Sequence, residues 1–174
     1  PIGTIVNKIP VIGGNSKIEF EYSNNSFDEV IIAVGYKHME FRKNIYEKLK
    51  GKIPFYTFIH STAYIDKSAQ IGFGSIILPK CTIDQLVKIG ENVLLNISCT
   101  IAHESEIDNH SFISPSVAVA GFVKIGQESI IGINATIIDN ITIPPKTQVG
   151  GGTVVIKNIE KSGLYVGNPA KFIR

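Results

Sequence analysis

The chain has 174 residues, enough for one full domain or two small ones, and 44% of them are hydrophobic against 18% charged. Its 17 Lys and Arg against 15 Asp and Glu leave a formal charge of +2 with no basic run, which gives nucleic acid no electrostatic footprint. No apolar stretch reaches membrane-spanning length, and the first residues lack the charged-then-apolar layout of a signal peptide.

Residues 1–58 read as a partial α/β unit. Lys8–Gly14 (KIPVIGG) is expected as a short strand ending in a turn. Asp28–Val34 (DEVIIAV) carries a continuous apolar run, the pattern of a parallel strand buried on both faces, and Gly35 follows at its carboxyl end. From His38 to Lys50 the residues Met39, Arg42, Ile45, Tyr46 and Leu49 fall near helical spacing, with Gly51 as C-cap. Ile53–Ile59 returns as a strand. This β-α-β order is that of a doubly wound, Rossmann-like domain, where ligands sit beyond the carboxyl ends of the strands. The strand, glycine-rich turn and helix that usually open such a domain are missing ahead of Pro1. The unit is therefore expected to be N-terminally incomplete, either a reduced small domain or part of a longer one.

At Ile59 the pattern changes. Every sixth residue from Ile59 through Val155 is Ile, Val or Leu, with no insertion. Four residues after each of these stands a mostly small or β-branched one, as at Ala69, Ser75, Cys81, Val87, Val93 and Cys99. The residue just after the aliphatic is often glycine, as at Gly72, Gly90, Gly126, Gly132 and Gly150, and is expected to permit the corner. A six-residue period does not track one face of an α-helix. It is the hexapeptide repeat of a parallel β-helix over residues 59–157, a little over five coils. Three hexads close a triangular coil of eighteen residues, and coils stack at about 4.8 Å with the aliphatic column inside. Cys81 and Cys99, eighteen apart, should stack on adjacent coils as buried free thiols. The tail 158–174 leaves the repeat, with a short strand expected at Leu164–Val166 and a turn at Gly167–Pro169. It should cover the open edge of the last coil.

Four histidines occur. Surface or capping roles suffice for His38 and His60. His103 lies two residues past the inward Ile101, with Glu104 beside it, and the residue stacking on it one coil later is Gly121. A histidine beside a carboxylate, under an open glycine, is what a general base next to a narrow tunnel needs. A solvated surface histidine explains the same residues equally well.

The run from Asn96 through Lys157, with AHE (102–104), GFVKIG (121–126), GINATI (132–137) and the closing VGNPAK (166–171), resembles the left-handed β-helix acetyltransferases that modify nucleotide-linked 4-amino sugars or sialic acid. DEVIIAVG and the helix after it resemble the end of that family's N-terminal substrate domain. The resemblance supplies the left hand of the coil. It implies His103 as the general base that deprotonates the acceptor and Glu104 as its acidic neighbour. It implies direct attack on the acetyl thioester of acetyl-CoA, with the Gly121 N–H as oxyanion donor. Gly121, Ile133 and Gly151 match positions lining the acetyl-CoA groove, Lys171 stands where CoA phosphates could be met, and Gly35 matches a glycine that approaches the sugar nucleotide. The family often carries a histidine nine residues after the base, near the acetyl group. Here that place is Phe112, with His110 two earlier. The family further implies a homotrimer with sites between subunits, a cytoplasmic setting and no metal. N- and O-acetylation both stay open.

Two other classes compete. A zinc hydratase of the γ-carbonic-anhydrase type places three histidines around a metal, two of them five apart. The spacing of seven between His103 and His110, and of 43 back to His60, does not fit. A non-catalytic β-helix used for assembly predicts no need for His103.

Overall fold

The structure, a computed structural model, describes residues 2–174. From Phe58 to Val155 the chain winds through two-residue strands, each made of the inward aliphatic and the outward residue before it. Thr100 and Ile101 pair in parallel with Thr82 and Ile83 below and with Ala118 and Val119 above, so residues eighteen apart stack as the repeat requires. The strands form three faces. The first contains Phe58–Ile59 through Gln148–Val149, the second Tyr64–Ile65 through Val154–Val155, and the third Gln70–Ile71 through Thr142–Ile143.

The aliphatic column is the core. From Ile77 to Val155 it is at most 3% exposed, and each such side chain contributes about 1.5–3 kcal/mol on burial. Ile59 departs from the inward expectation at 44% exposure, and Ile65 and Ile71 are half-buried, because no coil lies beneath the first. Small polar residues four after the aliphatic satisfy corner carbonyls between coils. Ser75 Oγ donates to Gly90 O at 2.8 Å and accepts from Val93 N at 2.9 Å, and Ser105 repeats the arrangement. Cys81 and Cys99 are buried free thiols that donate to Asn96 O and Ser114 O.

The corners work differently from expectation. The left-handed residue is the third after the aliphatic, as at Gly74, Asn92, Ser98 and Asn134, with φ of 71, 52, 59 and 57°. Glycines directly after the aliphatic do not take positive φ. They are needed because the next coil is too close for a Cβ, which at Gly132 would lie 2.5 Å from Gly151 N.

The N-terminal region is irregular. Strands β1 (Ile5–Val6) and β2 (Ile9–Pro10) form an antiparallel hairpin, so the strand expected over Lys8–Gly14 is shorter. A short helix α1 (Ile18–Ser23) follows, which no periodicity in the sequence announces. Asp28–Val34 is not a strand buried on both faces. It makes one parallel bridge, Val30 to Phe55, and Ile31 and Ala33 face solvent while Ile32 is buried. Helix α2 (Met39–Leu49) ends as expected before Gly51, whose φ is +77°. It buries Arg42, Tyr46 and Leu49, the last two in a cluster with Ile32, Ile53 and Phe55. The Arg42 guanidinium finds no hydrogen-bond partner among the described residues, and burial lowers its pKa to about 10.

The tail closes the stack. Leu164–Val166 pairs in parallel with Gln148–Val149 and antiparallel with Lys171–Phe172, and Ile159 is buried on the column. No helix among the described residues is long and apolar enough to cross a membrane.

Candidate active site

His103 occupies the corner between the second and third faces. Its ring lies against the bare Cα of Gly121 in the next coil. A Cβ at Gly121 would come within 2.6 Å of His103 Cε1 and 2.7 Å of Nε2. Phe122 meets the imidazole perpendicularly, with ring centroids 5.1 Å apart and an interplanar angle of 87°. Glu104 Oε1 is 4.0 Å from His103 Nδ1, near but beyond hydrogen-bond distance, and both side chains are about two-fifths exposed (41% and 42%). Neither ring nitrogen of His103 has a hydrogen-bond partner among the described residues, nor has the Gly121 N–H. The corner thus presents a free imidazole, a carboxylate and a free backbone donor together.

The other sequence-predicted residues lie elsewhere in the chain. Ile133 and Gly151 stack on the corner between the first and second faces. A Cβ at Gly151 would sit 3.0 Å from Ile133 Cγ2, so glycine keeps the exposed Ile133 close to bare backbone. The tail folds over this corner through Ala170 N to Val154 O, which brings exposed Lys171 to the same side. Phe112 is on the first face, buried among Ile76, Leu94, Met39 and Phe58, and Tyr36 covers it at 5.6 Å between centroids. Gly35 precedes Tyr36, and no atom lies within 4 Å of where its Cβ would be. The residues therefore form three groups: His103, Glu104 and Gly121; Ile133, Gly151 and Lys171; Gly35 and Phe112. One chain does not bring the groups together.

His110, on the third corner, proves buried and engaged. Its Nε2 is 3.0 Å from Glu47 Oε1 on α2, and its Nδ1 is 3.0 Å from Asn92 Nδ2. Because the amide of Asn92 donates, Nδ1 must accept and Nε2–H donates to Glu47, which is the neutral ring. Burial lowers the His110 pKa below its ordinary value, with Glu47 opposing. Nothing in the sequence pairs positions 47 and 110. His60 caps a turn through Thr62, and His38 sits at the N-cap of α2 with no side-chain cap bond. His60, His103 and His110 thus stand on three different corners, and no metal-holding group of His, Cys, Asp or Glu occurs among the described residues. A cleft of about 620 Å³ between α1, α2 and the coil is lined by none of the candidate residues.

Several solved structures share this architecture. The acetyltransferase domain of PglB from Neisseria gonorrhoeae FA1090 is 28% identical, with a TM-score of 0.87 over 97% of this chain and 82% of that one. The same domain in complex with acetyl coenzyme A matches 99% of this chain. WeeI from Acinetobacter baumannii AYE is 25% identical, with a TM-score of 0.86 over 98% and 81%. A GDP-perosamine N-acetyltransferase from Caulobacter crescentus, in complex with CoA and GDP-perosamine, has a TM-score of 0.94 over 99% and 81% at 24% identity, which carries the fold alone. No protein-family model matches the chain, and no curated protein does. Fold and neighbours together define an acyltransferase built on a hexapeptide-repeat left-handed β-helix. The particular proteins this chain is similar to include the PglB acetyltransferase domain and WeeI.

Proposed function

We propose that this chain transfers the acetyl group of acetyl-CoA to the amine of a nucleotide-linked 4-amino sugar. The observation that carries the reading is the His103 imidazole, held over Gly121 with both nitrogens unpartnered, on a coil like that of a domain solved with acetyl coenzyme A. His103 takes the proton from the acceptor amine as its lone pair attacks the thioester carbonyl. The free Gly121 N–H donates to the oxyanion. Collapse expels the CoA thiolate, to which the His103 imidazolium returns the proton. Glu104, whose Oε1 is 4.0 Å from His103 Nδ1, is the acidic neighbour of that ring.

Acetyl-CoA would lie along Ile133 and Gly151, with Lys171 for its phosphates. The exposed aliphatic beside bare backbone suits the pantetheine arm. Gly35 would approach the acceptor, residues 1–58 forming an α/β substrate-binding unit, 59–157 the coil and 158–174 the cap. Phe112 keeps a cofactor role only where Tyr36 gives it room. Since the three groups lie on different sides of one chain, a complete site needs corners from neighbouring copies. A homotrimer supplies them, in the cytoplasm where acetyl-CoA is made.

The test is CoA release from acetyl-CoA with UDP- and dTDP-4-amino sugars and with sialic acid as acceptors. Turnover with an amino sugar supports the reading, and turnover with sialic acid alone replaces it with O-acetylation. Sedimentation should give three copies per particle; an active monomer would contradict the shared site.

A further inference from the structure

The corner that carries His103 holds two residues ill suited to their backbone. Its left-handed position is filled by Leu86, Glu104, Phe122 and Asn140, with φ of 57, 58, 58 and 59°. Asparagine tolerates this region, whereas a large apolar side chain there is an outlier. The same position on the other two corners carries polar residues or glycine, among them Ser98, Asn134, Asn92 and Gly74. Burial does not offset the strain, because Phe122 and Leu86 are 45% and 53% exposed. The regular coil imposes the left-handed backbone at this position, so it is the large apolar side chain placed there that calls for a role.

What Phe122 touches is the imidazole of His103, ring against ring at 87°. No hydrogen bond fixes that imidazole, and Glu104 is too far to do so. A base must present its nitrogen in one direction, and a ring free about two torsions does not. We infer that Phe122 is a positioning residue: its left-handed backbone sets the phenyl ring upright so that it and the bare Gly121 hold His103 in one orientation. The inference rests on the reading of His103 as general base. Leu86 shares the backbone conformation without a ring contact to His103, and so separates strain from positioning.

The test compares the full chain with F122N, F122L, F122Y and L86N. Thermal unfolding, steady-state kinetics with acetyl-CoA and the best acceptor, and the imidazole carbon-bound proton signals of His103 are followed. F122N relieves the backbone, so its Tm should equal or exceed that of the parent while kcat falls at least about tenfold. The KM for acetyl-CoA should stay within about twofold. F122L keeps apolar bulk but loses the ring and should lose kcat as F122N does. F122Y keeps the ring and should retain kcat. The His103 signals should move in F122N and F122L and stay in place in F122Y and L86N. Parent-like kcat in F122L, or a lowered Tm in F122N, overturns the inference. Unmoved His103 signals overturn it whatever the kinetics show. Turnover that survives His103→Ala would instead remove the general-base reading, leaving the ring contact to be judged by the signals alone.

Discussion

Glu47 on α2 and His110 on the coil are 63 residues apart in sequence, yet their Oε1 and Nε2 lie 3.0 Å apart in the fold. Lys43 pairs with Glu128 one coil above, at 2.9 Å, and Lys50 with Glu91 one coil below. From Lys43 to Lys50 a helix advances about 10.5 Å, and two coil steps cover about 9.6 Å. One helical turn therefore engages one coil, and α2 descends the corner as the stack ascends. The outer pairs are partly exposed and each adds little. The inner pair is different, because its histidine is only 5% exposed. This contact sets where Gly35 and Tyr36, just ahead of α2, stand relative to the coil.

His110 makes the contact pH-sensitive. Burial holds its folded pKa below the ordinary 6.5, so as pH falls the unfolded chain takes up the proton first. Its contribution to stability is full above about pH 6.5 and is lost progressively below that. Thermal unfolding between about pH 8 and pH 5 should show a Tm that declines below about 6.5 in the parent. His110→Gln should lose that component, and identical profiles would contradict it. His110→Ala, which strands the buried Asn92 amide, should cost about 1–3 kcal/mol.

Gly121→Ala should separate activity from stability. The glycine does not take positive φ, so alanine is acceptable to the backbone, but the new Cβ collides with the His103 ring. The ring must swing away, and kcat should drop at least about tenfold. The Tm should move by less than about 2 °C. Equal activity in the variant would show that the ring position does not matter.

Gly132→Ala should do the reverse. Its Cβ would meet Gly151 N at 2.5 Å and Gly150 C at 2.6 Å, backbone atoms of the next coil that cannot turn aside. A loss of about 1–3 kcal/mol is expected from such overpacking, read as a fall in Tm. Gly35→Ala, where nothing lies within 4 Å, should leave the Tm unchanged, so any rise in its acceptor KM reports on binding.

The coil was legible because each hexad meets the same surroundings. One inward aliphatic per six residues defines the axis, and the stack of Thr100 on Thr82 follows from arithmetic. The corners were less legible. Leu86, Glu104, Phe122 and His110 are not turn residues by type; the regular coil imposes their left-handed backbone rather than their side chains choosing it. The N-terminal region was the least legible. Val30–Val34 is uniformly apolar, but with a single bridge to Phe55 it has one neighbour and shows Ile31 to solvent. The six residues of α1 are too few for a periodic signal. At the site, His103, Glu104 and Gly121 could be placed together from their spacing. The role of Phe122 could not, since it lies in a backbone angle and a ring contact.

The central claim is that His103 is the general base of acetyl transfer. The most direct measurement compares the full chain with His103→Ala at saturating acetyl-CoA and a nucleotide-linked 4-amino sugar, with acetyl-CoA affinity measured separately. The account predicts that kcat falls by about 10²–10⁴ while acetyl-CoA binds the variant as it binds the parent. A variant that keeps turnover within a few-fold of the parent would contradict it.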